Sequence, residues 1–146
     1  AGGQGDPVAA KSVVFSRHEA VLRLLAAACA MNGVVAVQYG TRSGQQHHEL
    51  GTFLERPAVQ VLLLSAQRDA SGLTLTAASH VVIVEPQPDV ATEQQMIGRV
   101  HRIGQSRQTH VHRIVIEGTF EPGLAVQRLS EQPSVQVAEP MMDDDE

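Results

Sequence analysis

The chain has 146 residues, 42% of them hydrophobic and only 3% aromatic, with no Trp and a single cysteine, Cys29. That suits one domain with an aliphatic, alanine-rich core, and it excludes an internal disulfide and an aromatic platform for stacking bases. The net charge is −5, but six of the 16 acids lie from Glu131 onward with no base among them; the remainder carries 11 bases against 10 acids, or +1.

In chain order, residues 1–10 are glycine-rich and are expected to form a flexible leader. No charged-then-apolar secretory start is present, and Ala at position 1 reads as a piece cut from something longer. Ser12–Phe15 (SVVF) is the first of five apolar runs that predict strands. Ser16, with Glu19 three residues on, has the spacing of a capping box, and Val21, Leu24, Leu25 and Ala28 then predict one helical stripe that Gly33 ends. The run from Leu24 to Met31 is too short to span a bilayer. Val34–Gln38 follows as a strand, and a helix starting near Ser43 is expected to turn Leu50, Phe53 and Leu54 inward. Val59–Leu64 and His80–Val84 are the next strands; a third helix begins near Asp89 and runs through Gln95, Arg99 and Arg102 to a stop at Gly104. His110–Ile116 alternates more than the others, which places it nearer a sheet edge. Thr119–Leu129 predicts a fourth helix, weakened by Gly123, and residues 130–146 predict a disordered acidic tail. Strands apolar nearly throughout, alternating with helices, specify an α/β fold over residues 11–129: a three-layer sandwich around a mainly parallel sheet. Function in such sheets is expected beyond the carboxyl ends of the strands.

Ten of the 11 bases are Arg, and no acid stands between Gln94 and Ile116, where Arg99, Arg102, Arg107 and Arg113 lie. Arg presents a planar fork that grips phosphate at two points, so this stretch is a candidate anion site. On a helix Gln95, Arg99 and Arg102 share one face, and Gly98 permits close backbone approach. Small hydroxyl residues around Gly72 in Ser71-Gly-Leu-Thr-Leu-Thr-Ala-Ala78 can meet phosphate or sugar without steric cost.

Gly98-Arg-Val-His-Arg-Ile-Gly-Gln105, with Gln95 before it, resembles the sixth helicase motif of SWI/SNF-like DNA translocases in helicase superfamily two. The likeness continues through His110-Val-His-Arg-Ile-Val-Ile and Gly118-Thr-Phe-Glu121. Gly72-Leu-Thr-Leu-Thr-Ala-Ala and Val81-Val-Ile-Val-Glu-Pro86 resemble the fifth motif, Lys11-Ser-Val-Val-Phe-Ser16 the fourth, and Gly40-Thr41 a DNA-contacting turn. The wording is most similar to the SHPRH-type ubiquitin ligases. The resemblance implies a second RecA-like lobe, which works with an N-terminal RecA-like lobe on duplex DNA or chromatin in the nucleus. It implies that Arg99 and Arg102 act as arginine fingers on ATP, that Gln95, Gly72 and Thr74 lie on the nucleotide side, and that Ser16, Gly40, Thr41 and Ser65 face the DNA backbone. ATP and Mg2+ would be held mainly by the other lobe, because the chain has neither a GxxxxGK[ST] loop nor an acidic magnesium motif. Alone, the chain should not hydrolyse ATP.

Departures from the family pattern fall at Asp69 and Ala70, where paired glycines are usual, at Thr74 in place of Asn, and at Gln87-Pro-Asp-Val90 in place of aromatics and Asn-Pro. Asp69 would repel phosphate. Two rivals follow: a catalytically silent RecA-like interaction scaffold, and an RNA helicase lobe. The bland alternatives are surface salt bridges from Arg99 and Arg102 to Glu93 or Glu85, a packed Cys29, and structural or phosphate-side roles for His101, His110 and His112. Adjacent His47 and His48 diverge by about 100° on a helix, so no metal site is expected.

Overall fold

In a computed structural model of the chain, which describes residues 9–40, 44–67 and 72–116, the Val/Leu/Ile runs become one sheet. Its strands are β1 (Lys11–Ser16), β2 (Ala36–Gln38), β3 (Val61–Ser65), β4 (Ala78–Ile83) and β5 (His110–Arg113), all parallel, in the order β2-β3-β1-β4-β5. Parallel neighbours require crossovers, and three of these carry helices: α1 (Glu19–Met31), α2 (Gln46–Glu55) and α3 (Val90–Ile97). Side chains alternate between the two faces of the sheet. One face sets Val13, Phe15, Leu62, Leu64, Val81, Ile83 and Val111 against Phe53 of α2 and Met96 of α3, in a single buried cluster. Leu63 and Leu22 of α1 are buried outside that cluster, which puts α1 on the opposite face. Each such fully buried side chain contributes about 1.5–3 kcal/mol. β5 is one of the two edge strands of the described sheet, as its alternation predicts, and β2 is the other.

Three local expectations are corrected. Ser16 is not the cap of α1: it is the last residue of β1, and His18 stands at the N-cap without a side-chain cap bond. The stripe of α1 is also rotated, with Leu22 buried, Leu24 71% exposed and Ala28 exposed. That helix is apolar almost all round, so its periodicity cannot choose a face; the sheet does. Leu54 of α2 is exposed while Phe53 beside it is fully buried. Gly33 ends α1 as expected. At φ +70 it lets Val34 N–H reach Cys29 O at 2.9 Å and its own N–H reach Ala30 O at 3.4 Å, a Schellman arrangement. Cys29 is half-buried.

The only lysine has a structural role. Lys11 is buried, and its Nζ donates to Phe53 O at 2.6 Å, Arg56 O at 2.7 Å and Val59 O at 2.6 Å. It thereby satisfies carbonyls where α2 ends, which helices leave without intrahelical partners. Burial holds its pKa below the ordinary lysine value. On the same side of the sheet, Arg113 of β5 pairs with Glu93 of α3 at 3.2 Å, the two side chains 8% and 1% exposed. Most of the leader, the helix start near Ser43, the substituted Asp69 and Ala70, the Thr119–Leu129 helix and the 130–146 tail lie outside the described residues.

Candidate nucleotide and DNA interface

The arginine-bearing segment is built from the end of α3. Asp89 begins that helix as expected, its Oδ1 accepting from Thr92 N at 2.7 Å. The helix stops at Ile97, and residues 98–104 continue in turns. Gln95 therefore lies on α3, exposed, while Arg99 and Arg102 lie past its end, and the shared helical face does not form. Two contacts draw the chain out of the helix. Val100 is fully buried, and Arg99 O accepts from Leu75 N at 2.9 Å. Gly98 has ordinary right-handed backbone, φ −64, and a Cβ there would stand 3.0 Å from Gln94 O. Its close approach is to the helix's own carbonyl.

Arg102 opens a turn that closes with Gln105 N on Arg102 O at 3.0 Å, and Gly104 supplies the φ of +101 that the third position needs. From this turn the exposed Arg102 donates from Nη1 to Thr74 Oγ1 at 2.9 Å. Arg99 is half-buried, with its Nη1 shielded from solvent. The fifth-like and sixth-like segments are thus joined twice, through Arg99–Leu75 backbone and through Arg102–Thr74 side chains, with exposed Gly72 two residues before Thr74.

Two further residues hold this assembly, and the sequence reading gave them no role of their own. Gln105 Nε2 donates to Ala78 O at 2.6 Å and Val100 O at 3.1 Å, while its Oε1 accepts from Arg107 N at 3.1 Å. Arg107 Nη2 donates to Ala77 O at 3.0 Å. The available signal was an amide directly after a turn glycine: Gln can donate twice and accept once, which suits it to tie a turn to a strand entrance. Ala78 is the first residue of β4, so the arginine turn sits by the amino end of that strand, not beyond the carboxyl ends as the fold class suggests.

At the other end of the sheet, Ser16 and Ser65 stand side by side in register at the ends of β1 and β3. Gly40 follows β2, where Tyr39 N donates to Leu63 O at 2.9 Å. Three of the four residues expected on the DNA side are therefore brought to one edge; Thr41 lies outside the described residues. Their donors meet carboxylates. Ser16 Oγ donates toward both oxygens of Glu85 at 3.1 and 3.0 Å, and Arg17 N donates to Glu85 Oε1. Ser16 Oγ also accepts from His18 N at 3.1 Å. Gly40 N donates to Glu49 Oε2 at 2.7 Å. Buried Gln87, in the substituted loop, donates from Nε2 to Glu85 O at 2.9 Å. Glu93 and Glu85, the carboxylates a salt-bridge reading offers to the arginines, are held by Arg113 and by Ser16 with Arg17 respectively.

The helicase conserved C-terminal domain model matches residues 9–104. The chain belongs to that family. It is 40% identical over 116 residues to the human E3 ubiquitin-protein ligase SHPRH, covering 80% of this chain and 7% of that protein. It is 37% identical over 113 residues to DNA repair protein RAD5A of Arabidopsis thaliana, covering 76% of this chain and 11% of that protein. The C-terminal part of the Fun30 ATPase domain shares the fold, with a TM-score of 0.73 at 19% identity over 80% of this chain and 38% of that one. The resemblance to the second RecA-like lobe of SWI/SNF-like translocases, of the SHPRH type, is borne out. This helicase C-terminal domain spans about a tenth or less of the curated relatives it matches. Among the described residues no helix is long and apolar enough to cross a membrane, and no group of three or more His, Cys, Asp or Glu could hold a metal ion.

Proposed function

We propose that this domain is the second lobe of an ATP-driven translocase on duplex DNA in the nucleus, and that it supplies Arg99 and Arg102 to ATP bound by an N-terminal lobe. The observation that carries the reading is the Arg102–Thr74 bond. It presents an exposed guanidinium whose one described partner is a neutral hydroxyl. A cation held in place without a carboxylate keeps its charge for an incoming anion, and a planar fork suits a phosphoryl group. Arg99, beside it, would be the second cation, with Gln95, Gly72 and Thr74 flanking the nucleotide. These residues fit a terminal phosphate approached from across a cleft. They do not supply carboxylates for Mg2+, so metal and phosphate loop belong to the other lobe. Bound ATP would provide the phosphoryl group to be hydrolysed; Arg99 and Arg102 would stabilise charge that develops on it. Ser16, Gly40, Thr41 and Ser65 would form part of the DNA-backbone track.

The test is Arg102→Ala and Arg102→Lys in the two-lobed parent protein. DNA-stimulated turnover should fall by about 10³–10⁵ with Ala, as for arginine fingers generally. ATP affinity should change far less, because the contact strengthens mainly in the transition state. Lys should rescue poorly. A variant that folds normally and keeps near-full turnover refutes the assignment.

The scaffold reading is favoured by one observation: Ser16, Arg17 and Gly40 already bind carboxylates of this chain. An upstream phosphate loop and Asp-Glu motif in the parent reading frame would exclude it, and their absence would support it.

A further inference from the structure

A cluster unused by this reading lies on the α1 side of the sheet. His80 of β4 is the register partner of His110 on β5, and Val82 is that of His112. All three imidazoles therefore project from the same face. The His80 ring stacks on His110 with centroids 4.8 Å apart and planes 16° apart, and on His112 at 5.3 Å and 13°. His80 Nδ1 and His112 Nε2 are 3.0 Å apart.

That N···N bond constrains the protons. One nitrogen must donate and the other must accept, so one must be bare. An imidazolium carries N–H on both nitrogens. If His80 and His112 were both charged, two N–H groups would point at each other and the bond would break. The stack of three rings is thus compatible with the neutral state and incompatible with full protonation. Among the described residues, neighbours on the same face offer no relief: β1 contributes Ser12 and Val14, and β4 contributes Val82. Lys11, Arg113 and Glu93 belong to the opposite face, where Lys11 is tied to carbonyls and Arg113 to Glu93. α1 lies over β1, β2 and β3.

We propose that His80, His110 and His112 form a proton-sensitive clasp that holds edge strand β5 against β4 at neutral pH and lets it go on acidification. Burial, then the charge of His110, then that of His112 hold His80 below the ordinary histidine pKa. The opened strand therefore takes up the proton more readily than the closed one. The clasp is complete above about pH 6.5 and is lost as pH falls through the lowered value. Because Arg113 ties β5 to Glu93 of α3, release would also loosen the helix that leads into the arginine turn. The inference does not depend on the ATPase reading.

The experiment is amide hydrogen exchange on the whole 146-residue chain between pH 7.5 and 5.0, read as protection factors. Protection at Val111–Ile114 should fall about tenfold per pH unit for each proton taken up on opening, while that at Val13–Phe15 in the sheet centre holds. His80→Gln keeps an amide that can donate and accept but does not titrate, and it should flatten the β5 profile. If that variant fails to fold, His112→Gln should flatten it in the same way. The wild-type His80 ring titration, by NMR, should have its midpoint below about 6.5 and track the loss of protection. Unchanged β5 protection down to pH 5.0, an equal fall at β1 and β5, or an equal fall in the folded variants overturns the proposal.

Discussion

The two ends of this sheet carry opposite electrostatics in the same currency of hydrogen bonds. At the amino end of β4, an exposed cation is held by a neutral hydroxyl, Arg102 on Thr74. Beyond the carboxyl ends, neutral donors are held by anions: Ser16 Oγ and the backbone N–H of Arg17 by Glu85, and the backbone N–H of Gly40 by Glu49. The first arrangement leaves positive charge available to a ligand. The second has already answered its donors with negative charge. Loop position in an α/β sheet and hydrogen-bond partners therefore rank the two ends differently as anion sites, and mutation can decide between the two rankings.

Mutation should separate the ends most sharply in turnover. In the two-lobed protein, Arg102→Ala should cost about 10³–10⁵ in DNA-stimulated ATPase rate. Ser16→Ala should cost far less, since its hydroxyl is engaged by Glu85. Equal losses from the two variants would erase the distinction between a charge-donating end and a pre-neutralised one.

Next in size is the strut behind the arginine turn. Glu93→Gln removes the carboxylate that pairs with Arg113 at a buried site, and breaking such a pair by removing one member costs about 3–5 kcal/mol. Urea unfolding of the isolated domain measures it. A loss under about 1 kcal/mol would show that water reaches the pair. Replacing both residues by apolar ones of similar volume should cost much less than the single change, because no uncompensated charge remains.

Smaller again is the clamp. Gln105→Ala leaves the carbonyls of Ala78 and Val100 each short of a donor, at about 1–3 kcal/mol for unsatisfied buried groups. The turn carrying Arg102 would lose its tie to β4, so turnover should fall with little change in the melting of β1 and β3. A Gln105→Ala protein with full turnover would mean that Gly104 and the Arg102–Gln105 bond suffice to aim the guanidinium.

These residues also mark where sequence reading reaches its limit. All five described strands were legible, because Val/Leu/Ile runs buried on both faces have few other uses. The sixth-motif wording singled out the arginines but did not reveal that they lie past the end of α3, because the pull of Leu75 N on Arg99 O and the burial of Val100 are tertiary effects. Ser16 read as a cap because Ser followed by Glu19 has the right spacing; β1 simply runs one residue further than the apolar run suggests. α1 hid its inward face, since Leu22 and Leu24 are equally apolar and only the sheet distinguishes them. Glu85 was visible merely as a spare carboxylate. Its bonds to Ser16 and Arg17 cross 69 and 68 positions, and no local pattern encodes that.

The smallest expected effect tests the carboxyl end directly. Glu85→Gln keeps the size of the side chain and one accepting oxygen, so Ser16 and Arg17 retain partners and the fold should lose no more than about 1 kcal/mol. What disappears is one negative charge at the edge where Ser16, Ser65 and Gly40 converge. A unit charge 4 Å from a phosphate is worth about 1 kcal/mol in water, or roughly fivefold in affinity. Duplex DNA should therefore bind the Glu85→Gln domain about fivefold more tightly at low salt, measured by fluorescence anisotropy. The gain should shrink as added salt shortens the screening length to a few ångströms. A gain that persists at high salt would point to a rearranged loop, since rearrangement is not screened. No gain at low salt would remove the carboxyl end from the DNA path and leave the arginine end as the only ligand-facing edge described in this domain.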